Sequence, residues 1–208
     1  MELIQGLSSP FSVPFASFKN VKLSEEFSLL INTFGESGVE SDIAIDSKKN
    51  IYESEFNFFK SDSRLIKEGK DYFTKCLRAM LNRIQNESTH YKLRFNDSWF
   101  HISHKFSVHD VHTHPGCSWC GIFYVEPGDS TTGHTVFCNP LQTIYMDAGT
   151  DYLTNSSAIR VKPSKGTLIL FPSHIRHYQE LYEGDAKRIM IGFNISVLSK
   201  TDSMIILT

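Results

Sequence analysis

The chain is poor in several features that would commit a protein to a membrane, to nucleic acid or to an oxidising compartment. No apolar stretch is long enough to cross a bilayer, and no charged leader followed by an apolar core opens it, since Met1 runs straight into ELIQGLSSPF. Both absences argue for a cytoplasmic protein with no membrane role. There is no Lys/Arg-rich run, and 21 basic against 23 acidic residues leave a formal net charge of -2, which disfavours nucleic acid as a partner. Four cysteines occur in 208 residues, Cys76, Cys117, Cys120 and Cys138, and in the reducing cytoplasm that the missing leader suggests they are expected as reduced thiols. Internal repeats and low-complexity stretches are also missing, which excludes solenoids and propellers.

What the chain does have is aromatic mass. Sixteen Phe and eight Tyr, in a chain that is 40% hydrophobic and 21% charged, point to a globular protein with a sheet-rich core. FSVPFASFKNV alternates around Pro14 as an edge strand or extended arm would. Ser24 before EEFSLLINTF, with Gly35 after it, predicts a short helix capped by that serine. From Ser63 to about Ile84, steps of three and four between Leu65, Ile66, Tyr72, Phe73, Cys76, Leu77, Met80, Leu81 and Ile84 describe one buried helical face. After Asn86 the character changes to short β-branched and aromatic runs: HYKLRF, SWFHISHKF, CGIFYV, TVFC, AIRV, TLILF and RIMIGFNISVL. Asn96-Asp97, Pro127-Gly128, Asn139-Pro140, Lys162-Pro163 and Gly184-Asp185 supply the turns between them. This predicts an α+β, mainly β, single domain over 1–208, with helical support at about 20–86 and a closed or sandwiched antiparallel sheet at about 90–198.

Chemistry concentrates at His109-Asp110-Val111-His112-Thr113-His114-Pro115-Gly116. Residues two apart on a strand face the same way, so His112 and His114 would aim two imidazoles at one point, and imidazole is a favoured transition-metal ligand. A third ligand is available downstream. Gly166, Pro172 after five intervening residues, and His177 five positions further on have the spacing of a strand that turns back across a barrel mouth.

Together, HTHPGCSWCGIFYVEPGD, then NP, then GTLILFPSHIRH, then KRIMIGFNI resemble the 2-oxoglutarate–iron(II) oxygenases found among short microbial and phage proteins. That family shows an HxHP run, a G-x-x-Y-V strand, an L-x-L-F-P-S strand with a histidine beyond it, and an R-I-x-I-x-F-N strand. The resemblance covers roughly residues 98 to 196. It implies a double-stranded β-helix (a cupin-like jelly-roll barrel) braced by the N-terminal helices, with His112, His114 and His177 as iron(II) ligands. It further implies that Arg188 binds the distal carboxylate of 2-oxoglutarate, a role suited to the bidentate guanidinium fork. Asn194 and Tyr124 would line the cosubstrate pocket, and His174 would border the substrate. The implied reaction consumes O2 and hydroxylates a small molecule or peptide side chain, releasing succinate and CO2.

Alternatives stay open at this level. An Asp110/His112/His177 set would match the two-histidine, one-carboxylate pattern of many non-haem iron sites. The same spacing also resembles the second motif of three-histidine cupin dioxygenases that use no keto acid, with His174 at the glycine position. A non-catalytic metal- or ligand-binding barrel is the third reading. Cys117 and Cys120 with the HxH pair could build a zinc site, but the expectation is that they hold no zinc and form no disulfide. His101, His104, His109 and His134 are expected at the surface or behind the ligands. Met190 stands where related oxygenases carry a hydroxyl residue. Oligomeric state is left open, a homodimer included.

Overall fold

A computed structural model describes residues 13–34, 50–85, 92–129, 131–140 and 158–198. Gly35, read as a helix stop, lies outside them, as does the connection after α2. Strands β1 (Ala16–Lys19), β2 (Ile51–Glu53), β3 (Lys92–Ser103), β5 (Trp119–Glu126), β8 (Thr167–Pro172) and β10 (Arg188–Leu198) form a six-stranded sheet in the order β1-β8-β5-β10-β3-β2. A four-stranded sheet, β4-β9-β6-β7, faces it, built from β4 (Ser107–His112), β6 (Thr135–Cys138), β7 (Ala158–Val161) and β9 (His177–Tyr182). All strand pairs within the sheets are antiparallel. This is the mainly-β jelly roll that the sequence implied.

Helices α1 (Val21–Phe34) and α2 (Arg64–Gln85) pack on the outer face of the larger sheet. The α2 face is the one its periodicity announces, with Ile66, Phe73, Cys76, Leu77, Met80 and Leu81 buried. Phe73 is fully buried, and its ring lies 4.9 to 6.4 Å from those of Phe193, Phe123, Phe59 and Phe27. Burying such a side chain contributes about 1.5–3 kcal/mol. Gly69 lets the two helices close up, because a Cβ there would meet the Phe27 ring at 2.4 Å.

Two local expectations need correction. The cap of α1 is Asn20, whose Oδ1 accepts from the Leu23 N–H at 3.0 Å, while Ser24 lies inside the helix and its hydroxyl donates to the Val21 carbonyl. Asn is as good a cap as Ser, and only the chain's entry direction selects between them. The turn read at Asn96-Asp97 is instead a bulge inside the single long strand β3: Asp97 pairs with Asn194 and Phe95 with Ile195, leaving Asn96 extra. Its side-chain amide donates to Gly116 O at 2.7 Å and to Ser196 Oγ at 2.9 Å, which pins the segment after the HxH pair to the sheet.

Candidate metal centre and cavity

The smaller sheet carries two of the three predicted metal-binding histidines, and the third follows β4. His112 closes β4, His177 opens β9, and the two are direct partners across the antiparallel pair. His114 lies just past the end of β4 rather than on it; its backbone N–H donates to Ser173 O at 3.2 Å, tying it to the turn that precedes β9. A hydrogen bond to that turn, rather than strand pleat, therefore brings the third imidazole in. Ring centroids are 4.3 Å apart for His112–His177, 4.9 Å for His112–His114 and 5.1 Å for His114–His177. One ring nitrogen of each lies within 4.8 Å of the others, a grouping that could hold a metal ion.

Backbone carbonyls set the tautomers. His112 Nδ1 lies 2.7 Å from Asp110 O, and His177 Nδ1 lies 3.0 Å from Ile175 O. A carbonyl can only accept, so both Nδ1 atoms carry the proton and both Nε2 lone pairs are left for a ligand. His114 Nε2 faces His177 Nε2 at 3.3 Å. Burial, followed by the nearby His112, holds the pKa of His177 down at about 3 and that of His114 at about 4, so both rings are neutral donors near neutral pH.

The carboxylate alternative fails on geometry. An extra residue between His109 and His112 bulges β4 and turns Asp110 and Val111 outward; both are exposed, and Asp110 joins no metal-compatible group among the described residues. The same bulge swings His109 inward, three residues from His112 and yet on its side, with their ring centroids 4.4 Å apart. Sequence parity between Asp110 and His112 was misleading because it assumes an unbroken ladder.

The triad lines a cavity of about 340 Å³ between the sheets, within the range of small-molecule sites. Arg188, from the larger sheet, lines the same cavity at 2% exposure. It donates through Nη1 to Gly133 O and through Nη2 to Thr135 Oγ1 at 3.3 Å, and its guanidinium lies 5.4 Å from the centroid of the Tyr124 ring. Its Nε has no partner, and no carboxylate among the described residues pairs with it. Burial pushes its pKa below the ordinary arginine value. A charged group held this deep without a counter-charge is costly, and an anionic ligand would relieve that cost.

Residues 97–194 match the sequence profile of a family described as "Putative 2OG-Fe(II) oxygenase". That segment carries the sequence signature of the 2-oxoglutarate–iron(II) oxygenases. No curated protein matches it. Among solved structures it is similar to a Pseudomonas putida prolyl-4-hydroxylase, at TM-score 0.60 and 10% identity over 91% of this chain and 95% of the other. It is also similar to HygX from Streptomyces hygroscopicus, determined with nickel and 2-oxoglutarate bound, at TM-score 0.58 and 11% identity over 88% of this chain and 83% of that one. A third is the viral collagen prolyl hydroxylase of Paramecium Bursaria Chlorella virus-1, at TM-score 0.55 and 14% identity over 89% and 96%. At these identities the structural likeness speaks for the fold. The cofactors of the family are iron(II), 2-oxoglutarate and O2. The residues present suit them: three imidazoles converge as ligands for a borderline metal, and the Arg188 guanidinium, with no carboxylate partner among the described residues, lines the same cavity.

The remaining predicted site residues are placed as follows. Tyr124 is fully buried behind Arg188, donating from its hydroxyl to Thr135 Oγ1 at 2.6 Å. Asn194 accepts from the Cys120 thiol at 3.3 Å and donates from Nδ2 to Asp97 Oδ2 at 3.3 Å, so both its ends are engaged within the sheet. His174 is exposed on the turn before β9 and is not among the cavity-lining residues. Cys117 and Cys120 are free thiols with their sulfurs 4.0 Å apart, and neither belongs to a metal-compatible group among the described residues. Of the histidines expected at the surface or behind the ligands, His101 and His109 both line the cavity. Trp99, Thr135 and Gln179 line it as well and were missed. The alternation in Ser98-Trp99-Phe100-His101-Ile102 would have put Trp99 and His101 on one face.

Proposed function

We propose that the chain is a 2-oxoglutarate- and iron(II)-dependent hydroxylase acting on a small molecule or a peptide side chain, with His112, His114 and His177 holding iron and Arg188 binding the distal carboxylate of 2-oxoglutarate. The observation that carries this reading is Arg188: a buried guanidinium in the same cavity as the triad, with no partner for its Nε and no carboxylate to meet it among the described residues. Bound iron and keto acid would supply the oxidant, coupling the reduction of O2 to decarboxylation of 2-oxoglutarate to succinate and CO2. Arg188 sets the register of the keto acid across the cavity, and the hydroxyl of Thr135 and the ring of Tyr124 keep its guanidinium from swinging. The Nδ1–H bonds of His112 and His177 keep their Nε2 atoms directed inward. Ile122, Phe171 and Met190 wall the site with apolar surface, which limits water near the reacting centre.

Both substrate classes have precedents among similar folds. A prolyl hydroxylase from Trichoplax adhaerens was determined with a hypoxia inducible factor peptide, and HygX with hygromycin B. The near-neutral charge of the present chain favours these classes over a polyanion.

The test is an anaerobic titration of the iron-loaded protein with 2-oxoglutarate, following the iron-to-keto-acid charge-transfer band, with succinate measured after admission of air. The wild type should show both. Removing one partner of a buried charge pair costs about 3–5 kcal/mol, so Arg188→Ala should weaken 2-oxoglutarate binding on the order of a thousandfold. Arg188→Lys, which keeps the charge and loses the fork, should fall between. A wild type that binds iron but gives neither band nor succinate would hand the site to the keto-acid-independent, three-histidine reading.

A further inference from the structure

The cavity holds a second set of donors that the oxygenase reading does not use. Glu53 and His101 are register partners on β2 and β3, so their side chains stand side by side on the inner face of the larger sheet, and His101 Nε2 contacts Glu53 Oε2 directly. His109 reaches them from the opposite sheet, turned inward by the β4 bulge, with its ring 5.5 Å from that of His101 and inclined by only 23°. One donor atom from each of the three lies within 4.8 Å of the others. We propose that Glu53, His101 and His109 form a second divalent transition-metal site, beside the His112/His114/His177 triad and in the same cavity.

A carboxylate–histidine pair alone would explain only two of these residues. His109 is left over: its Nδ1 faces the Asp110 carbonyl at 3.3 Å, which places the proton there and leaves Nε2 as a lone pair. Two imidazoles and one carboxylate are the donor types that Zn2+, Mn2+, Fe2+ and Co2+ accept, whereas Mg2+ and Ca2+ favour all-oxygen shells. Three strands from two facing sheets supply the three donors, so the site is held by ladders rather than by a loop. Glu53 keeps 27% of its side chain exposed, which gives an ion a way in, and His101 closes the inner side at 4%.

The two sets share a wall. His109 and His112 have ring centroids 4.4 Å apart, so an ion on the Glu53 set would neighbour an ion on the triad and present a positive centre to whatever enters the cavity. The proposal does not depend on keto-acid binding and would stand if Arg188 bound nothing.

The experiment uses untagged, chelator-stripped protein in equilibrium dialysis against Co2+, with bound metal counted by elemental analysis. The wild type should saturate at about two equivalents per chain, and Glu53→Gln or His109→Gln at about one. His177→Gln should also keep about one, and His109→Gln/His177→Gln should keep none. Loaded with Mn2+, the wild type should give an electron paramagnetic resonance signal broadened by a neighbouring ion, and His109→Gln a sharp, isolated one. A wild type that saturates at one equivalent overturns the site, as does a His109→Gln protein that keeps two. A second equivalent lost in Cys117→Ser but kept in His109→Gln would put the ion on the thiols and equally overturn it. Should His109→Gln or Glu53→Gln lose its cooperative thermal transition, the wild-type count and its Mn2+ spectrum decide by themselves, and an unbroadened spectrum at full loading refutes the pair. A failure of Arg188→Ala to lose 2-oxoglutarate would touch the proposed function and leave this result unaffected.

Discussion

On its outer face the larger sheet meets two helices through Phe123, Ile191 and Phe193; on its inner face the same strands present Trp99, His101, Arg188, Met190 and Gly192 to the cavity. Strand β10 alone shows the contrast: Ile189, Ile191, Phe193 and Ile195 belong to the helix-side core, while Arg188 and Met190, in the alternate positions, face the other sheet. The pleat of one strand thus divides stability from chemistry. The helix side is a continuous apolar cluster rich in phenylalanine, and the cavity side is a smaller apolar cluster interrupted by imidazoles and a guanidinium with no counter-charge among the described residues.

The largest expected effect falls on the helix side. Phe73→Ala removes a fully buried ring that packs among four other phenylalanine rings and should cost about 3–5 kcal/mol of folding free energy, read from urea unfolding. Metal binding by the folded fraction should be unchanged; a parallel loss of metal affinity would show that the two faces are coupled. Next comes the reverse sign on the cavity side. Arg188→Met fills the same space without burying a lone charge, so the ligand-free variant should gain stability, by about 1–4 kcal/mol, while losing 2-oxoglutarate. Destabilisation instead would mean that the Gly133 and Thr135 contacts already satisfy the guanidinium.

Thr135→Val is the intermediate case. It strips the acceptor from both the Tyr124 hydroxyl and Arg188 Nη2, and should lower stability by about 1–3 kcal/mol together with a weaker grip on the keto acid. Unaltered 2-oxoglutarate affinity would show that Thr135 has no part in orienting Arg188. The smallest effect is expected at Cys117→Ser. This thiol is half-buried and free, so stability should shift by less than about 0.5 kcal/mol and the metal content should not change. Metal loss in this variant would revive the zinc reading of the cysteine pair.

Much of the cavity was legible from residue order. The HxH pair, the Pro172-to-His177 spacing and the arginine opening the last long strand are patterns that survive without knowledge of pairing. Arg188 was legible for a further reason: a charge beside Ile189, Met190 and Ile191 must find a partner wherever the strand goes. For His101 and His109 the choice between the surface and a place behind the ligands was not legible, because their direction depends on partners distant in sequence. His101 needs β2 beside it to meet Glu53, and His109 needs a bulge that only the β4–β9 pairing reveals. The strand β9 was overlooked as well, because His177-Tyr178-Gln179-Glu180-Leu181-Tyr182 is mostly polar and has the look of a loop until β4 and β6 flank it.

The sequence by itself determined the class of fold, the amphipathic face of α2 and which three histidines the fold brings together, since residue pattern and spacing carry that information along the chain. Only the tertiary structure decided that His114 is placed by the Ser173 turn, that Asp110 faces outward, that Glu53 and His101 meet, and that Arg188 is buried with no carboxylate partner among the described residues. Each of those depends on strand register, and register is set by contacts between segments tens of residues apart, where a one-residue bulge reverses which side chains face the cavity.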